Sequence, residues 1–397
     1  MPNGLDIKDL ELNALLEITQ AINNNLAEED LFRIYKFTLL ADLKVQRLAL
    51  YVKDDNWDCK VHFGTQTDWN KVFLPQFFWD LREVRELADC DEEFQAFELA
   101  IPVTHKDRLL AIVFVGGNER SGKKSNTTFL KALTNIIIVA VENKKLARKQ
   151  LQQEAYRKEL EIAKKVQNFL FPKELPKTHR LKIEAVYLPH QDVGGDYYDY
   201  LAIDNDRFLV CVADVSGKGV PAALLMSNFQ ASLRTLVRKT QDPKEIVAEL
   251  NHIITDSGNA ENFITFFLGI YDFHDKSFEY VNCGHNPLYL VTTDGIQELN
   301  DGTTILGMFD PLPFLKTVRI ENLSDFFFFG YTDGLTETFN AADDQYGEER
   351  LKAFLEGGIP TDINKLHLDI FKSLDEFRVD VPYRDDITML SCLVKNP

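Results

Sequence analysis

Four acidic clusters hold most of the chemistry this sequence could perform. They are Val193-Gly194-Gly195-Asp196-Tyr197-Tyr198-Asp199, Ala213-Asp214-Val215-Ser216-Gly217-Lys218-Gly219-Val220-Pro221, Tyr331-Thr332-Asp333-Gly334-Leu335-Thr336-Glu337 and Arg384-Asp385-Asp386-Ile387-Thr388. Each is expected where a strand ends. A single Asp-Gly pair reads most simply as a turn. Four such clusters, each following an apolar strand, read instead as carboxylates converging from strand ends. Oxygen donors with few histidines beside them suit a hard cation, Mg²⁺ or Mn²⁺. The 8 histidines show no zinc-type spacing.

The residues around each acid explain how it would be held. Asp214 follows the apolar run Phe208–Ala213, so its carboxylate is expected at a sheet edge against a dry wall. Gly217 and Gly219 allow a tight turn. Pro221 then suits the first turn of a helix with the core stripe Leu225, Phe229, Leu233 and Leu236. Gly194-Gly195 lets the chain approach closely before Asp196. Asp333 follows Phe326–Phe329, and Asp385-Asp386 precedes the last strand, Ile387–Val394.

The elements needed to place these groups form a mixed α+β chain. Helical spacing over residues 10–22 and a second helix from Glu28 to about Leu43 lead into a strand at Arg47–Val52. The segments Ala100–Val103 and Leu109–Val115 flank His105-Lys106-Asp107-Arg108 as a hairpin. Together these make a compact domain ending near residue 142. From Thr128 a helix is expected to run to Pro172 without Gly or Pro. One heptad frame puts Leu146, Lys149, Gln153, Tyr156, Leu160, Ala163, Gln167 and Leu170 at core positions. That pattern fits a solvated connector or a coiled coil between two protomers. Beyond it the chain is strand-rich: Leu181–Tyr187, Phe208–Ala213, Phe263–Phe273, Phe278–Asn282, Leu288–Val291, Val318–Ile320, Phe326–Phe329 and Ile387–Val394. Two helices interrupt, Pro221–Lys239 and residues 242–257. Without repeated strand–helix alternation, antiparallel sheets with helices packed outside are expected.

Composition excludes several functions. The 397 residues carry 62 acids against 44 Lys and Arg, a net charge of −18. Such a chain is poorly suited to nucleic-acid backbones or anionic membranes. The 5 cysteines are widely spaced, with no C-x-x-C pair, which disfavours a disulfide framework or structural zinc. The amino terminus lacks the basic and apolar regions of a signal peptide. The apolar run at 136–141 is too short to span a bilayer. A cytoplasmic protein is expected.

The acidic clusters occur in a fixed order, with Cys283-Gly284-His285-Asn286-Pro287 between the second and third. This ordered set resembles the metal-dependent PPM-type serine/threonine phosphatases, in the SpoIIE/RsbU-like branch, over about residues 155–394. The N-terminal domain resembles a GAF domain in its element order and in Val45–Val52 and Ala100–Val115. The resemblance implies a GAF-like sensor at 1–142, a linker helix at 128–171, and a phosphatase domain at 172–397. The last would be a β-sandwich flanked by helices.

It also implies a site holding two Mn²⁺ or Mg²⁺ ions. Asp214 would bridge both, and the carbonyl of Val215 would bind one. Asp196, Asp333 and Asp385 would be further ligands, with Asp386 competing for the role of Asp385. Asp199 would stand behind the ligands or be structural. Glu337 and His285 are given no chemistry, His285 being read as a loop brace. A water acidified between the ions would attack phosphoserine or phosphothreonine in line, without a covalent intermediate. Lys218 stands where many eukaryotic relatives have His. The leaving-group acid is therefore open between Lys218 and a metal-bound water, or Lys218 contacts phosphate instead.

The implied substrate is a phosphoprotein such as an anti-sigma-factor antagonist. An effector would act at the N-terminal domain, where His62 and His105 read as ordinary histidines. A homodimer through the long helix is expected. The competing reading is a non-catalytic phosphoprotein-binding scaffold, whose signature would be loss of the acids; a small-molecule phosphatase comes third.

Overall fold

The chain divides into two units, Met1–Ala155 and Tyr156–Pro397. The computed structural model describes residues 4–41, 44–87, 93–105, 108–117, 123–257 and 262–396.

The first unit contains α1 (Gly4–Asn23), α2 (Glu28–Ala41), β1 (Arg47–Lys53), β2 (Trp57–Phe63), β3 (Arg85–Glu86), β4 (Leu99–His105) and β5 (Arg108–Gly116). Its antiparallel sheet has the order β2-β1-β5-β4-β3. Successive side chains of a strand face opposite ways. Leu48, Leu50 and Val52 therefore pack with Ile18, Leu31, Tyr35 and Leu39 of the helices. Ala49 and Tyr51 face an aromatic layer of Trp69, Phe78, Phe94, Phe97 and Phe114. The hairpin forms as expected, although its turn at 106–107 lies outside the described residues, as do 42–43 at the expected end of the second helix. The long helix is α3, Lys123–Asn168. Its start packs into the first core through Leu130, Leu133, Ile137 and Val141. Among the described residues no helix is long and apolar enough to cross a membrane.

The second unit contains β6 (Leu181–Leu188), β7 (Tyr197–Ala202), β8 (Arg207–Val215), α4 (Val220–Val237), α5 (Pro243–Ser257), β9 (Ile264–Asp272) and β10 (Ser277–Cys283). There follow β11 (Leu288–Thr292), β12 (Gly295–Leu299), β13 (Gly302–Thr303), β14 (Val318–Ile320) and β15 (Phe326–Tyr331). The chain closes with α6 (Asp333–Thr336), α7 (Glu348–Ala353), α8 (Ile363–Arg378) and β16 (Ile387–Val394). One sheet has the order β13-β10-β9-β8-β7, with β14 also on β10; the other has the order β12-β11-β15-β16-β6. Phe208, Val210, Val212, Phe267 and Tyr271 of the first sheet share a core with Phe326, Phe328 and Leu290 of the second. The reverse face of the first sheet, with Leu209, Cys211, Ala213 and Val215, is covered by Met226, Phe229 and Leu233 of α4 and Leu250 of α5. The second sheet is covered by Ile363, Leu366, Ile370 and Leu374 of α8. The result is helix–sheet–sheet–helix, the α+β sandwich expected.

Three details differ from expectation. Tyr197-Tyr198-Asp199 opens β7, a strand not among those expected, which pairs antiparallel with β8. The preceding Gly-Gly turn masks this in the sequence. The helix α8 was not expected, although Asp362 caps it and its apolar spacing is helical. The acids do not all sit at strand ends. Asp214 does, and Asp385 precedes β16 as expected, but Asp196 precedes β7 and Asp333 opens α6. A sandwich mouth collects residues entering strands as readily as residues leaving them.

Candidate metal centre

Strand alternation aims Asp214. It belongs to the row of Phe208, Val210 and Val212, which fills the space between the sheets. It is therefore the polar end of an apolar row. Across from it, β15 leads through Tyr331 to Thr332 and Asp333, and the segment 384–388 enters β16.

Asp196 is buried at 1% exposure, and its Oδ2 accepts from Thr332 Oγ1 at 2.7 Å and Thr388 Oγ1 at 2.6 Å. These two threonines were not singled out from sequence. Their only signal is that each lies within an acidic cluster, one position before or three after an aspartate.

The pair Asp385-Asp386 divides its work. Asp386 Oδ1 accepts from the His190 amide and Oδ2 from the Gly195 amide, both at 2.7 Å. It ties the loop of the first cluster to the start of β16. Asp385 Oδ2 instead meets Lys218 Nζ at 2.6 Å. The glycine pair is required by crowding. A Cβ on Gly194 would fall 2.0 Å from Asp386 Oδ2, and one on Gly195 would fall 2.7 Å from the Val215 carbonyl oxygen.

Electrostatics decide what this arrangement can hold. Burial raises the pKa of Asp214 to about 8, helped by the charges of Asp333, Asp385 and Asp386. Burial raises Asp333 to about 6, with Glu337 and Asp385 adding to it. Asp196 is pushed well up by burial and then by Asp214, and Asp386 is raised chiefly by burial. Six acids thus crowd one another, and Lys218 supplies positive charge at the rim. Desolvation and like charge together disfavour ionisation unless a cation joins them. Among the described residues no three His, Cys, Asp or Glu side chains are grouped tightly enough to form a ready coordination shell. The donor set, all oxygen and short of positive charge, nonetheless fits Mg²⁺ or Mn²⁺ and not a soft metal.

Residues 204–395 match the family model of Stage II sporulation protein E, SpoIIE. Over that stretch, a little under half of the chain, the sequence is similar to the SpoIIE family. The match includes Asp214, Asp333 and Asp385 and begins just after Asp196. The chain is 27% identical to Protein IcfG of Synechocystis over 59% of its own length and 41% of that protein's. It is 26% identical to the phosphoserine phosphatase RsbU of Bacillus subtilis over 60% of its own length and 70% of that protein's. The chain thus spans under half the length of the first relative. The SiaA PP2C domain of Pseudomonas aeruginosa shares the fold at a TM-score of 0.55 and 22% identity, over 60% of this chain and 97% of that one.

The second unit braces the acidic mouth from behind. His285 is buried; its Nε2 donates to the Tyr331 carbonyl at 2.9 Å, and Thr265 Oγ1 lies 2.7 Å from Nδ1. It holds the end of β15 next to Thr332. Asp199 is fully buried and forms a two-point pair with Arg234 at 2.8 and 3.1 Å, while also accepting from the Tyr197 hydroxyl. Gln167, which the heptad frame put at an intermolecular core position, is buried inside its own domain. Its Nε2 donates to the Gly194 carbonyl at 2.6 Å, and its Oε1 accepts from the Gly194 amide at 3.3 Å.

Two buried histidines make stability depend on pH. Burial lowers the pKa of His285 and of His367 to about 4. Unfolded, each binds a proton near 6.5. Between these values the unfolded state binds more protons, so stability is full above about pH 6.5 and falls as pH drops toward 4. At pH 5 the expected loss is about 2 kcal/mol per histidine. Urea unfolding at pH 7 and pH 5 measures it. His367→Gln, which can keep the bond to Ser391 Oγ, should lose about 2 kcal/mol less than the wild type between pH 7 and pH 5, whatever the raised carboxyls add to both; an equal change in the two proteins removes His367 from the account.

Proposed function

We propose that the protein is a Mn²⁺- or Mg²⁺-dependent protein serine/threonine phosphatase. One observation carries this reading: buried acids from β8, the β15–α6 junction and the entrances to β7 and β16 meet at one mouth of the sandwich with a deficit of positive charge. Asp196, Asp214, Asp333, Asp385 and the Val215 carbonyl would hold two ions. Asp386 is the weaker candidate, because both its oxygens already serve backbone amides. When bound, the ions would supply an acidified water and neutralise charge on the phosphoryl oxygens. The chain's own residues do the rest. Thr332 and Thr388 orient Asp196, and Asp386 fixes the loop that carries it. Lys218 is 45% exposed at the rim, which favours contact with phosphate over a role as buried acid.

The family supports a phosphoprotein substrate, and a phosphorylated anti-sigma-factor antagonist is the proposed one. RsbU carries the name phosphoserine phosphatase. The first unit is proposed as a GAF-like sensor for an effector, with a homodimer formed through α3. The test is to incubate the intact chain with phosphoserine-bearing antagonist proteins, with and without Mn²⁺. Phosphate release that requires the ion is expected. Release from none of them, under conditions where an aryl phosphate is cleaved, would remove the substrate assignment.

A further inference from the structure

The segment 304–317, between β13 and β14, presents apolar side chains to solvent. Met308 is 48% exposed, Phe309 51% and Phe314 60%. Exposed apolar groups are common when scattered, but here three lie on one segment that is fastened in place. Leu306 exchanges two main-chain hydrogen bonds with Ile264, at 3.0 and 2.9 Å. Asn251 of α5 holds both sides of the turn, its Oδ1 accepting from the Gly307 amide at 3.0 Å and its Nδ2 donating to the Phe309 carbonyl at 2.7 Å. Asp310 Oδ2 lies 2.6 Å from His252 Nδ1. Thr303 Oγ1 donates to the Phe314 carbonyl, and the Lys316 amide bonds the Gly302 carbonyl at 3.1 Å. The loop therefore cannot easily fold its side chains inward.

Its position gives it a use. Ile264 pairs with Val215. Leu306 thus begins the loop two strand spacings, about 10 Å, from the backbone of Val215. Resting on the phosphatase reading, we infer that Met308 and Phe309 form a docking contact for the phosphoprotein substrate beside the metal centre.

Charge argues for this occupant. The chain carries −18 and the substrate brings a phosphate, so the long-range field opposes their encounter. Affinity for a whole protein must then come from short-range contact. A prefastened loop loses little conformational entropy on binding, and an aromatic beside a flexible thioether is the usual chemistry of an anchoring contact. A small phosphate ester would not reach it.

The test uses the full chain with Mn²⁺, comparing p-nitrophenyl phosphate with a phosphorylated antagonist protein that the wild type dephosphorylates. Phe309→Asp and Met308→Asp should each lower kcat/KM for the phosphoprotein about tenfold or more, chiefly through KM, and leave the aryl phosphate unchanged. Phe309→Leu should retain most of the phosphoprotein rate. Equal losses on both substrates, or no loss on the phosphoprotein, overturn the inference. So does a change of sedimentation mass without a change in substrate preference, which would make the loop a contact between copies of this chain. A wild type inert toward both substrates overturns the phosphatase reading itself, a result visible without any loop variant.

Discussion

Asp214→Asn should abolish Mn²⁺-dependent phosphate ester hydrolysis while leaving the fold at least as stable. The substitution keeps the shape of the side chain but removes the charge at the centre of the acidic mouth. Loss of a mere supporting partner of a metal ligand commonly costs 10–100-fold. Loss of the residue proposed to touch both ions should cost at least about a hundredfold in rate. The stability side runs the other way. Asp214 is crowded by Asp333, Asp385 and Asp386 behind a desolvated wall. An uncharged amide relieves that repulsion, so the metal-free variant should unfold no earlier than the wild type. Mn²⁺ should raise the wild-type melting temperature, as any ligand that binds only the folded state does. The variant should lose that shift. Unfolding of Asp214→Asn below the wild-type temperature, with the Mn²⁺ shift intact, would mark Asp214 as structural.

Arg234→Met should produce the largest loss of stability among the substitutions considered. Asp199 has no exposed side-chain surface, whereas Arg234 is 33% exposed. Removing the arginine leaves a buried carboxylate facing apolar β8 and α4. Breaking such a pair costs about 3–5 kcal/mol, and the partial exposure of Arg234 puts this case near 3. A domain of this size would then melt about 6–12 °C lower. Adding Asp199→Asn should recover more than half of the loss, because the amide oxygen can still accept from the Tyr200 amide while its NH2 donates to the Tyr197 hydroxyl oxygen. Thermal unfolding of the two single variants and the double variant measures the coupling. Additive losses would show that the pair contributes no more than packing.

The site was legible where sequence neighbours and spatial neighbours coincide. Asp214 could be placed because it ends an alternating apolar strand, and the flanking glycines and Pro221 declare the turn and helix that follow. The run Phe326–Phe329 reads as buried on both faces, and it is: Phe326 and Phe328 meet the other sheet while Phe329 packs near His367 of α8. The division of labour between Asp385 and Asp386 was not legible. It depends on where the amides of His190 and Gly195 lie, almost two hundred residues away in the chain. Thr332 and Thr388 were hidden for the same reason, since their partner Asp196 lies more than a hundred residues away in the chain. Gln167 shows the limit of a heptad argument. A polar residue at a core position of the pattern found its partner in the backbone of Gly194, inside its own unit. The fastened loop at Met308 and Phe309 has no local sequence signature, because what makes it rigid is a side chain of α5.

The most direct measurement is hydrolysis of p-nitrophenyl phosphate by the intact chain in Mn²⁺, after EDTA, and after Mn²⁺ is restored. The acidic mouth described here predicts turnover with the ion, loss to background with the chelator, and recovery on re-addition. A rate that EDTA leaves unchanged would contradict it.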